Sequence, residues 1–353
     1  MDLNELSGYI PKIESTLRAS YATERRRAAP AFRPFLDILT EFSLRGGKRF
    51  RALLVLVGFH ITTGRAPTPV LSAAAALEHF QSWMLIHDDI IDHSEQRRGG
   101  PTVHRSLERD HAAHHRIGSS VDYGIGMGVT LGDLQEPFTV EALLSTPVAS
   151  PAKLAALAEY VRMTRETAYG QVMDIWNGTV PPGEVSEQDV LTVHRLKSAV
   201  YTVASPLRIG ALLGGERLAR LGDLTESGID VGIAFQLRDD ILGAGIDADQ
   251  SGKSANDLIE GKRTLLVVRA WHAADADGRA LLERVLGNPA ASLEEIDAVR
   301  DLIRSSGSLA YSERKIRQLT DRALKRIDRS RTIRAAGRPL LKQIADRLVN
   351  RSI

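Results

Sequence analysis

The sequence predicts an all-α fold. Apolar residues recur at helical spacing along nearly the whole chain, as Leu36, Leu39 and Phe42 do in an early segment. The breaks between these segments are short and fall at glycine or proline. No stretch alternates apolar and polar residues in the way a half-buried strand does. Because no linker or shift in composition divides the 353 residues, we expect one domain over 1–353.

The first half of the chain contains clear helix boundaries. Gly46-Gly47 ends one helical stretch, and Thr68-Pro69 begins a helix that is apolar almost all round, which indicates a buried central helix. Pro137 lies inside a later apolar stretch, and we expect it to kink or end that helix early. The helices predicted before residue 178 cover 4–26, 31–44, 48–63, 70–94, 103–117, 121–145 and 151–177.

The second half begins after a loop that contains Pro181-Pro182-Gly183. Ser186, followed by Gln188 and Asp189, begins a helix that carries Lys197-Ser198. Apart from the helix that ends near residue 243, the later helices are amphipathic and show no catalytic pattern. The helices predicted after residue 220 cover 225–243, 264–285, 293–305, 309–329 and 332–350.

Composition excludes several classes of protein. Charged residues make up 25% and the net charge is only +2, so we expect no nucleic-acid partner. The absence of cysteine excludes disulfides, thiolate catalysis and cysteine-ligated zinc. The first residues lack the pattern of a signal peptide, and the best apolar run, 52–61, is half of the ~20 residues that a membrane span needs. We therefore expect a cytoplasmic protein without stable membrane insertion.

One predicted helix, 103–117, carries three histidines at the spacing of metal ligands: His111, His114 and His115. It also carries the charged residues Arg105, Glu108, Arg109, Asp110 and Arg116. We therefore interpret these histidines as part of a solvated face.

A short acidic stretch carries the most distinctive chemistry. Asp88 and Asp92 lie four residues apart in a predicted helix and project from one face, with Asp89 about 100° round the cylinder. Their neighbours are apolar, so these carboxylates are not an ordinary solvated surface. Oxygen-only ligands favour Mg²⁺ or Mn²⁺. Arg97 and Arg98 follow, and they can meet the anion that such a metal carries. This order of groups indicates a diphosphate site.

A second acidic pair, Asp239-Asp240, ends another apolar helix. Two carboxylates 4 Å apart repel by about 4 kcal/mol at an effective dielectric of 20, and divalent ions would remove that cost. If the two helix ends face each other, Asp88, Asp92 and Asp239 would bind metal ions from both sides of one cavity. Metal-bound diphosphate is a better leaving group.

Three of the nine lysines directly follow glycine, namely Lys48, Lys253 and Lys262. A compact ammonium brought forward by a flexible turn suits phosphate binding. Chance placement in loops is the alternative for any one of them.

On these motifs the sequence resembles the short-chain trans-isoprenyl diphosphate synthases of the polyprenyl synthetase family. The 88–92 stretch matches the family's first aspartate-rich motif, and 46–51 matches its homoallylic-substrate motif. The resemblance covers nearly the whole chain, and it implies an isoprenoid-synthase-type bundle of antiparallel helices around a central apolar cavity. Further matching positions are Arg97-Arg98-Gly99, Gly170-Gln171, Asp174, Lys197-Ser198, Phe235-Gln236, Asp239-Asp240 and Gly261-Lys262-Arg263-Thr264.

The resemblance implies a reaction. Isopentenyl diphosphate would be condensed with dimethylallyl, geranyl or farnesyl diphosphate to a short all-trans product, geranylgeranyl (C20) or farnesyl (C15) diphosphate. Three Mg²⁺ ions would be held by Asp88, Asp92 and Asp239, with Mn²⁺ as a possible substitute. The released diphosphate would take the final proton, and a homodimer is expected.

The resemblance also implies roles for individual positions, with every residue identity taken from this chain. The allylic diphosphate would be neutralised by Arg97, Lys197, Lys253 and Lys262. The isopentenyl site would be formed by Lys48, Arg51, Gln81 and Arg98. The groups around the reacting carbons and the metals would be Asp89, Lys197, Ser198, Phe235, Gln236 and Asp240.

Three positions depart from the family pattern. Gly243 stands where many relatives have a third aspartate, and Gln81 stands where many have histidine. After Gly132-Asp133 the chain continues Leu134-Gln135-Glu136-Pro137, which is unusual. None of these changes removes an implied metal ligand.

Other functions are consistent with parts of the pattern. A class I terpene cyclase would share the fold, but its second helix should carry an Asn/Asp, Ser/Thr, Glu triad. A His-Asp phosphohydrolase using His87-Asp88 would leave the second acidic pair unexplained. A non-catalytic subunit of a heteromeric prenyltransferase would be expected to lose an acidic motif, and this chain keeps both.

Product length is predicted from Trp83, with Met84 beside it. Trp83 lies five residues before Asp88, roughly 7–8 Å along a helix axis at 1.5 Å per residue. Its indole is large enough to close the tail cavity, which predicts a short product, C15 to C20. The resemblance favours C20, because family members with one aromatic residue at this position and no insertion in Asp88–Asp92 often resemble geranylgeranyl diphosphate synthases. Ordinary core packing is the alternative role.

Overall fold

The computed structural model describes residues 1–246 and 256–350, and in these ranges the chain is all-α, as predicted. The chain divides into two compact units. The first unit is Met1–Ala158 with Pro206–Arg217, and the second is Glu159–Ser205 with Leu218–Ile353. The single domain expected from the sequence stays a prediction.

The first unit is organised around one buried helix, α5, which packs against α2, α4, α7 and α8. A run of small side chains from Ala73 to Ala76 lets neighbouring helices approach it closely, and Leu77 and Phe80 are fully buried. Its helices are α1 Leu3–Ser7, α2 Ile10–Arg27, α3 Arg33–Leu44, α4 Phe50–Thr63, α5 Leu71–Ile91, α6 Val103–Ala113, α7 Ser120–Asp133 and α8 Gln135–Leu144, with short 3₁₀ turns at Pro30–Phe32 and Thr68–Val70.

Two helices contribute residues to both units. They are α9 Ser150–Thr179 and α11 Ser205–Leu213.

The unusual stretch after Gly132 forms a helix break and a buried polar network. α7 and α8 separate at Leu134, and Pro137 falls in the first turn of α8, where its missing N–H costs little. Gln135 is fully buried, and its Oε1 accepts hydrogen bonds from Tyr21 (2.7 Å) and from His79 Nδ1 (3.1 Å). Burial lowers the pKa of His79 to about 4, so this histidine is neutral.

The second unit is organised around α12, which packs against a π-helical segment and against α17 and α18. Its helices, in addition to the shared α9, are α10 Glu187–Val193, α12 Gly222–Gly243, α13 Asn256–Ile259, α14 Leu265–Ala273, α15 Ala276–Val285, α16 Leu293–Ser305, α17 Ser308–Arg329 and α18 Arg338–Asn350. Short 3₁₀ turns occur at Pro182–Glu184, Leu218–Arg220 and Ala335–Gly337.

The π-helical segment His194–Ala204 corrects one prediction. The sequence indicated a continuous α-helix through Lys197, but the α-helical pattern ends at Val193 and the next eleven residues are π-helical. π-Helical turns are rare and frequently occur at functional sites.

Several boundaries also differ from prediction. A two-residue antiparallel pair, β1 Gln96–Arg97 and β2 Gly100–Pro101, was not predicted, because strands this short have no periodicity to detect. The predicted helix 264–285 is broken between α14 and α15, and 4–26 is broken between α1 and α2.

The histidine-bearing helix ends at Ala113, and His111 is not part of a solvated face. It is buried and packs on the ring of Tyr123 at 4.8 Å, whereas His114 and His115 are exposed. Among the described helices, none combines the length and apolar character that crossing a lipid bilayer requires.

Candidate active site

The first acidic helix end lies where α5 stops. Asp92 is the C-terminal cap of the helix, and its backbone N–H donates to the carbonyl of Asp88 at 2.8 Å. Asp88 and Asp92 are half-buried, one helical turn apart on the same face, as predicted. Asp89 points elsewhere and is completely buried.

Asp89 is an anchor for Arg97. The Arg97 guanidinium donates from Nε (2.8 Å) and Nη2 (2.5 Å) to Asp89 Oδ1. Burial raises the pKa of the Asp89 carboxyl, and the Arg97 charge opposes that shift. The sequence placed Asp89 beside the predicted metal ligands, and in the structure Asp89 holds the guanidinium of Arg97.

Arg98 lies beside the glycine loop that precedes α4. Its guanidinium is exposed and donates from Nη1 to the carbonyls of Arg45 (3.3 Å) and Gly46 (3.4 Å). Lys48, in the same loop, is also exposed, and Arg51 in the first turn of α4 is half-buried. The structure therefore brings the predicted isopentenyl-binding residues Lys48 and Arg98 to one loop cluster.

Arg49, between Lys48 and Arg51, has a structural role. It is buried, has a left-handed backbone (φ 53°), and bonds Glu78, Glu14 and the Ser43 carbonyl at 2.9–3.0 Å. It therefore connects the start of α4 to α5 and α2.

The candidate length-determining residues lie one turn before Asp88. Trp83 and Met84 are half-buried. The Trp83 ring packs edge-on against Phe80 (5.9 Å between centroids) and His87 (6.2 Å). Gln81 is buried, and its side-chain oxygen has no hydrogen-bond partner among the described residues.

The second acidic helix end carries a chain of hydrogen bonds through its neighbours. Ser198 Oγ donates to Gln236 Oε1 (2.8 Å), and Gln236 Nε2 donates to Asp240 Oδ1 (3.0 Å). The other oxygen of Asp240 lies 3.0 Å from His194 Nε2. Asp240 is buried, whereas Asp239 is half-buried. Asp240 therefore fixes the orientation of the Gln236 amide, with its oxygen toward Ser198.

Further predicted residues of the second unit are paired with carboxylates. Lys197 Nζ lies 2.5 Å from Asp174 of α9, and both side chains are about one-quarter exposed. Lys262 Nζ contacts Asp257 (3.1 Å) and Glu260 (2.6 Å). Burial raises the pKa of Asp257 to about 6, and the charge of Lys262 opposes this shift.

The two remaining predicted positions have simple descriptions. Phe235 is half-buried on α12. Lys253 lies outside the described residues.

The donor set at each helix end, taken separately, fits a hard divalent cation. It consists of carboxylate oxygens in a chain without cysteine, and Mg²⁺ is commonly held by one or two carboxylates together with substrate phosphates. Within 1–246 and 256–350, no group of three or more histidine or acidic side chains lies close enough together to hold an ion.

A sequence model described as "Polyprenyl synthetase" matches residues 33–303. The chain belongs to the polyprenyl synthetase family. It is 31% identical over 316 residues to a geranylfarnesyl diphosphate synthase of Aeropyrum pernix, covering 87% of this chain and 91% of that protein. It is also 31% identical over 271 residues to a geranylgeranyl diphosphate synthase of Sulfolobus acidocaldarius, covering 76% of each.

Solved structures of family members are similar throughout. The crystal structure of geranylgeranyl pyrophosphate synthase from Corynebacterium glutamicum, complexed with isoprenyl diphosphate and magnesium, superposes with a TM-score of 0.89. It is 32% identical and covers 99% of this chain and 100% of that one.

Three residues that contact predicted site residues were not identified from the sequence. His194 and Asp257 carry no signal of their own, because their importance lies in partners distant in sequence, Asp240 and Gly243. Arg45 precedes a recognisable glycine pair, and that position was the only available hint.

Proposed function

We propose that the protein condenses isopentenyl diphosphate with allylic diphosphates and that its main product is C20. The observation that carries this is the first helix end, where two half-buried carboxylates one turn apart are followed by an arginine held by Asp89. Family membership, with relatives named geranylgeranyl and geranylfarnesyl diphosphate synthases, favours this reaction over a terpene cyclase or a non-catalytic subunit.

Asp88, Asp92 and Asp239 would hold Mg²⁺, three ions by the family resemblance, with Mn²⁺ as a possible substitute. A bound divalent ion supplies charge neutralisation for the leaving diphosphate. The chain's own cations do the same work beside it. Arg97 is preset by Asp89. On the second unit, Lys197 and Lys262 are each within 3.1 Å of a carboxylate that keeps the ammonium in place, and Lys253 is assigned to the same diphosphate.

The proposed reaction forms an allylic cation, which the protein must stabilise. The C–O bond breaks with its electron pair on the diphosphate, and the isopentenyl double bond then attacks the cation to form the new C–C bond. Ser198 uses its hydroxyl hydrogen on Gln236, so its lone pairs remain available to a neighbouring positive charge. The proton lost from the adduct passes to the released diphosphate.

The reaction is tested by mixing labelled isopentenyl diphosphate with dimethylallyl, geranyl or farnesyl diphosphate and analysing extracted products. We expect Mg²⁺-dependent label in C20 prenyl diphosphate, abolished by a chelator and restored by Mg²⁺ or Mn²⁺. Cyclic hydrocarbon from an allylic diphosphate alone would identify a cyclase instead. No condensation with any of the three primers would overturn the proposal.

Product length is assigned to Trp83. Five residues before Asp88, its half-buried indole, edge-on to Phe80 and His87, would end the space open to the growing tail. Trp83→Ala should move the products from C20 toward longer chains. Trp271→Ala, which removes another half-buried indole, is the matched control and should leave the distribution at C20. An unchanged distribution in an active Trp83→Ala enzyme would remove this assignment.

We also propose a homodimer, with the cytoplasmic location staying a prediction of the sequence. Support comes from exposed apolar side chains at helical spacing: Val121, Ile125 and Val129 on α7 are 36–44% exposed, and Val172 and Trp176 on α9 are 66% and 67% exposed. Light scattering should give twice the 38.6 kDa chain mass. Ile125→Glu should lower that value, whereas Leu293→Glu, at another exposed apolar site, should not. A monomeric wild type would refute the proposal.

A further inference from the structure

Arg45, the C-terminal cap of α3, joins three pieces of the first unit. Its Nε donates to Glu41 Oε1 (2.7 Å), and its Nη2 pairs with the other oxygen of Glu41. Its Nη1 donates to two backbone carbonyls of the hairpin, Arg97 (3.0 Å) and Pro101 (2.9 Å). Its side chain is 16% exposed, and its charge-assisted bonds to the two carbonyls are partly shielded from solvent, whereas Glu41 is 60% exposed.

The two carbonyls lie on opposite strands of the hairpin. Arg97 pairs with Gly100 and Gln96 with Pro101, so Arg45 clamps both strands just outside the turn. The turn residues Arg98 (φ 52°) and Gly99 (φ 77°) both have left-handed backbones. A non-glycine residue in that region is strained, and it persists only where its surroundings hold it. Arg45 supplies that restraint.

The hairpin is shaped to receive this guanidinium. A Cβ placed on Gly100 would lie only 2.5 Å from Arg45 Nη1 and 2.7 Å from its Nε. The planar group therefore rests on the Gly100 backbone, in space that any side chain would fill. Gly100 does not have a left-handed backbone, so the close approach of Arg45 is the reason for glycine here.

The two arginines of the hairpin depend on Arg45 unequally. Arg97 has its own anchor, because its guanidinium is bonded to the buried Asp89. Among the described residues, the hydrogen bonds of the Arg98 side chain are the long ones of 3.3 and 3.4 Å to the carbonyls of Arg45 and Gly46. Loss of Arg45 would release Arg98 while Arg97 stays attached to α5.

We propose that Arg45 is a positioning residue that sets the affinity for isopentenyl diphosphate and leaves the affinity for the allylic diphosphate unchanged. This rests on the proposed function, in which Arg98 and Lys48 bind the former substrate and Arg97 the latter. Arg45 acts through the hairpin and the glycine loop, where its side chain and its carbonyl hold opposite ends of the same cluster.

The experiment compares Arg45→Met, Arg45→Lys and wild type in steady-state kinetics and in calorimetric titration with isopentenyl diphosphate. We expect KM and Kd for isopentenyl diphosphate to rise about tenfold, with KM for geranyl diphosphate within twofold and kcat within threefold. Lysine should not rescue, because one ammonium cannot reproduce the planar fork that reaches Glu41 and both carbonyls. Arg25→Met removes another arginine, exposed and paired with Asp37 of α3, and should change neither constant.

A second variant tests the same contact from the other side. Gly100→Ala should displace the guanidinium and reproduce the isopentenyl defect in a protein that retains Arg45. In an Arg45→Ala background the added methyl meets no guanidinium, so the two changes together should be no worse than Arg45→Ala alone. Additive defects, equal rises in both KM values, or full activity in Arg45→Lys would overturn the proposal.

The titration separates this proposal from the function on which it rests. A wild type that binds isopentenyl diphosphate without condensing it would refute the proposed reaction, while the Kd ratio between Arg45→Met and wild type would still decide the role of Arg45. A wild type that does not bind isopentenyl diphosphate would overturn both.

Discussion

The ends of α5 and α12 each carry two adjacent aspartates, but the side chains that contact these aspartates differ between the two ends. In each pair the first aspartate, Asp88 or Asp239, stays half-buried, and the second, Asp89 or Asp240, turns into the protein. Asp89 accepts hydrogen bonds from the guanidinium of Arg97. Asp240 accepts a hydrogen bond from the amide of Gln236 and contacts the imidazole of His194. The inward carboxylates thus position other side chains, and the outward ones are the candidate metal ligands.

The difference is larger one turn on. After Asp88 the helix presents Asp92, but after Asp239-Asp240 it presents Gly243. The space beside Gly243 is taken by Asp257, whose Cγ would be 2.6 Å from a Cβ at that position. The first end therefore contains its carboxylates in one helix. The second end combines the aspartates of α12 with Asp257, which follows that helix in the chain. We therefore expect the second end to be more sensitive to substitutions near Asp257.

The largest effect should come from the outward aspartates. Asp88→Asn and Asp239→Asn keep the shape of the side chain and remove its charge, so each should lower kcat/KM by about 1,000-fold or more while the melting temperature stays within a few degrees. Steady-state kinetics at saturating Mg²⁺ measures this.

Asp301→Asn, an exposed aspartate paired with Arg304, is the matched control and should retain full activity. A near-normal rate in Asp239→Asn alone would show that the second helix end holds no metal and that the two ends are not equivalent.

The inward aspartates should differ from each other in stability. Asp89→Asn leaves the partly buried Arg97 without its counter-charge and should cost about 2–3 kcal/mol, below the range for fully buried pairs because Arg97 is 32% exposed. Asp240→Asn keeps a polar group between Gln236 and His194 and should cost about 1 kcal/mol.

Urea unfolding without metal gives both values. Asp37→Asn breaks the exposed pair with Arg25 and should cost at most about 0.5 kcal/mol. Equal losses at Asp89 and Asp240 would contradict the distinction between a guanidinium partner and the amide and imidazole partners.

The sequence predicted the fold class and the position of both acidic ends, but not how their side chains are paired. Predicted 70–94 and observed Leu71–Ile91 agree closely because the apolar pattern of α5 is long and its ends are marked. The π-helical segment and the hairpin had no such signal, since composition does not distinguish i→i+5 bonding and two-residue strands have no period.

His194 and Asp240 are 46 positions apart in sequence, so their contact depends on tertiary packing. Helix geometry predicts the direction in which the side chains of Asp89 and Asp240 leave their helices, but not the residues that they contact. The roles of the candidate site residues stay predictions that the substitutions above and below are designed to test.

The second end should also carry a pH dependence. Because burial raises the pKa of Asp257 from 3.8 to about 6, the folded protein binds its proton more tightly than the unfolded chain does. Stability from this group is therefore present below about pH 4 and is lost as pH rises through 6. Between pH 5 and pH 7 the loss should be about 1 kcal/mol.

Unfolding free energies of the metal-free protein at several pH values measure this loss. Asp257→Asn should flatten that part of the curve, while Asp321→Asn, an exposed aspartate on α17, should not. An identical slope in Asp257→Asn and wild type would show that Asp257 has an ordinary pKa.

The smallest effect should come from substitution of Gly243. The sign of the change in unfolding free energy decides whether Asp257 occupies the space beside Gly243 that a side chain at this position would fill. Alanine at a helical glycine normally stabilises by about 0.5–1 kcal/mol, because glycine has more conformational freedom to lose on folding. At Gly243 the new methyl would meet the partly buried Asp257 carboxylate, itself bonded to Lys262, so Gly243→Ala should destabilise by about 1 kcal/mol and lower activity a few-fold. In an Asp257→Ala background the obstruction is gone, and Gly243→Ala should become neutral or stabilising. A double-mutant cycle from urea unfolding measures the coupling. If Gly243→Ala has the same effect on stability in both backgrounds, Asp257 and Gly243 are not coupled. The second acidic end would then consist of carboxylates from one helix, as the first does.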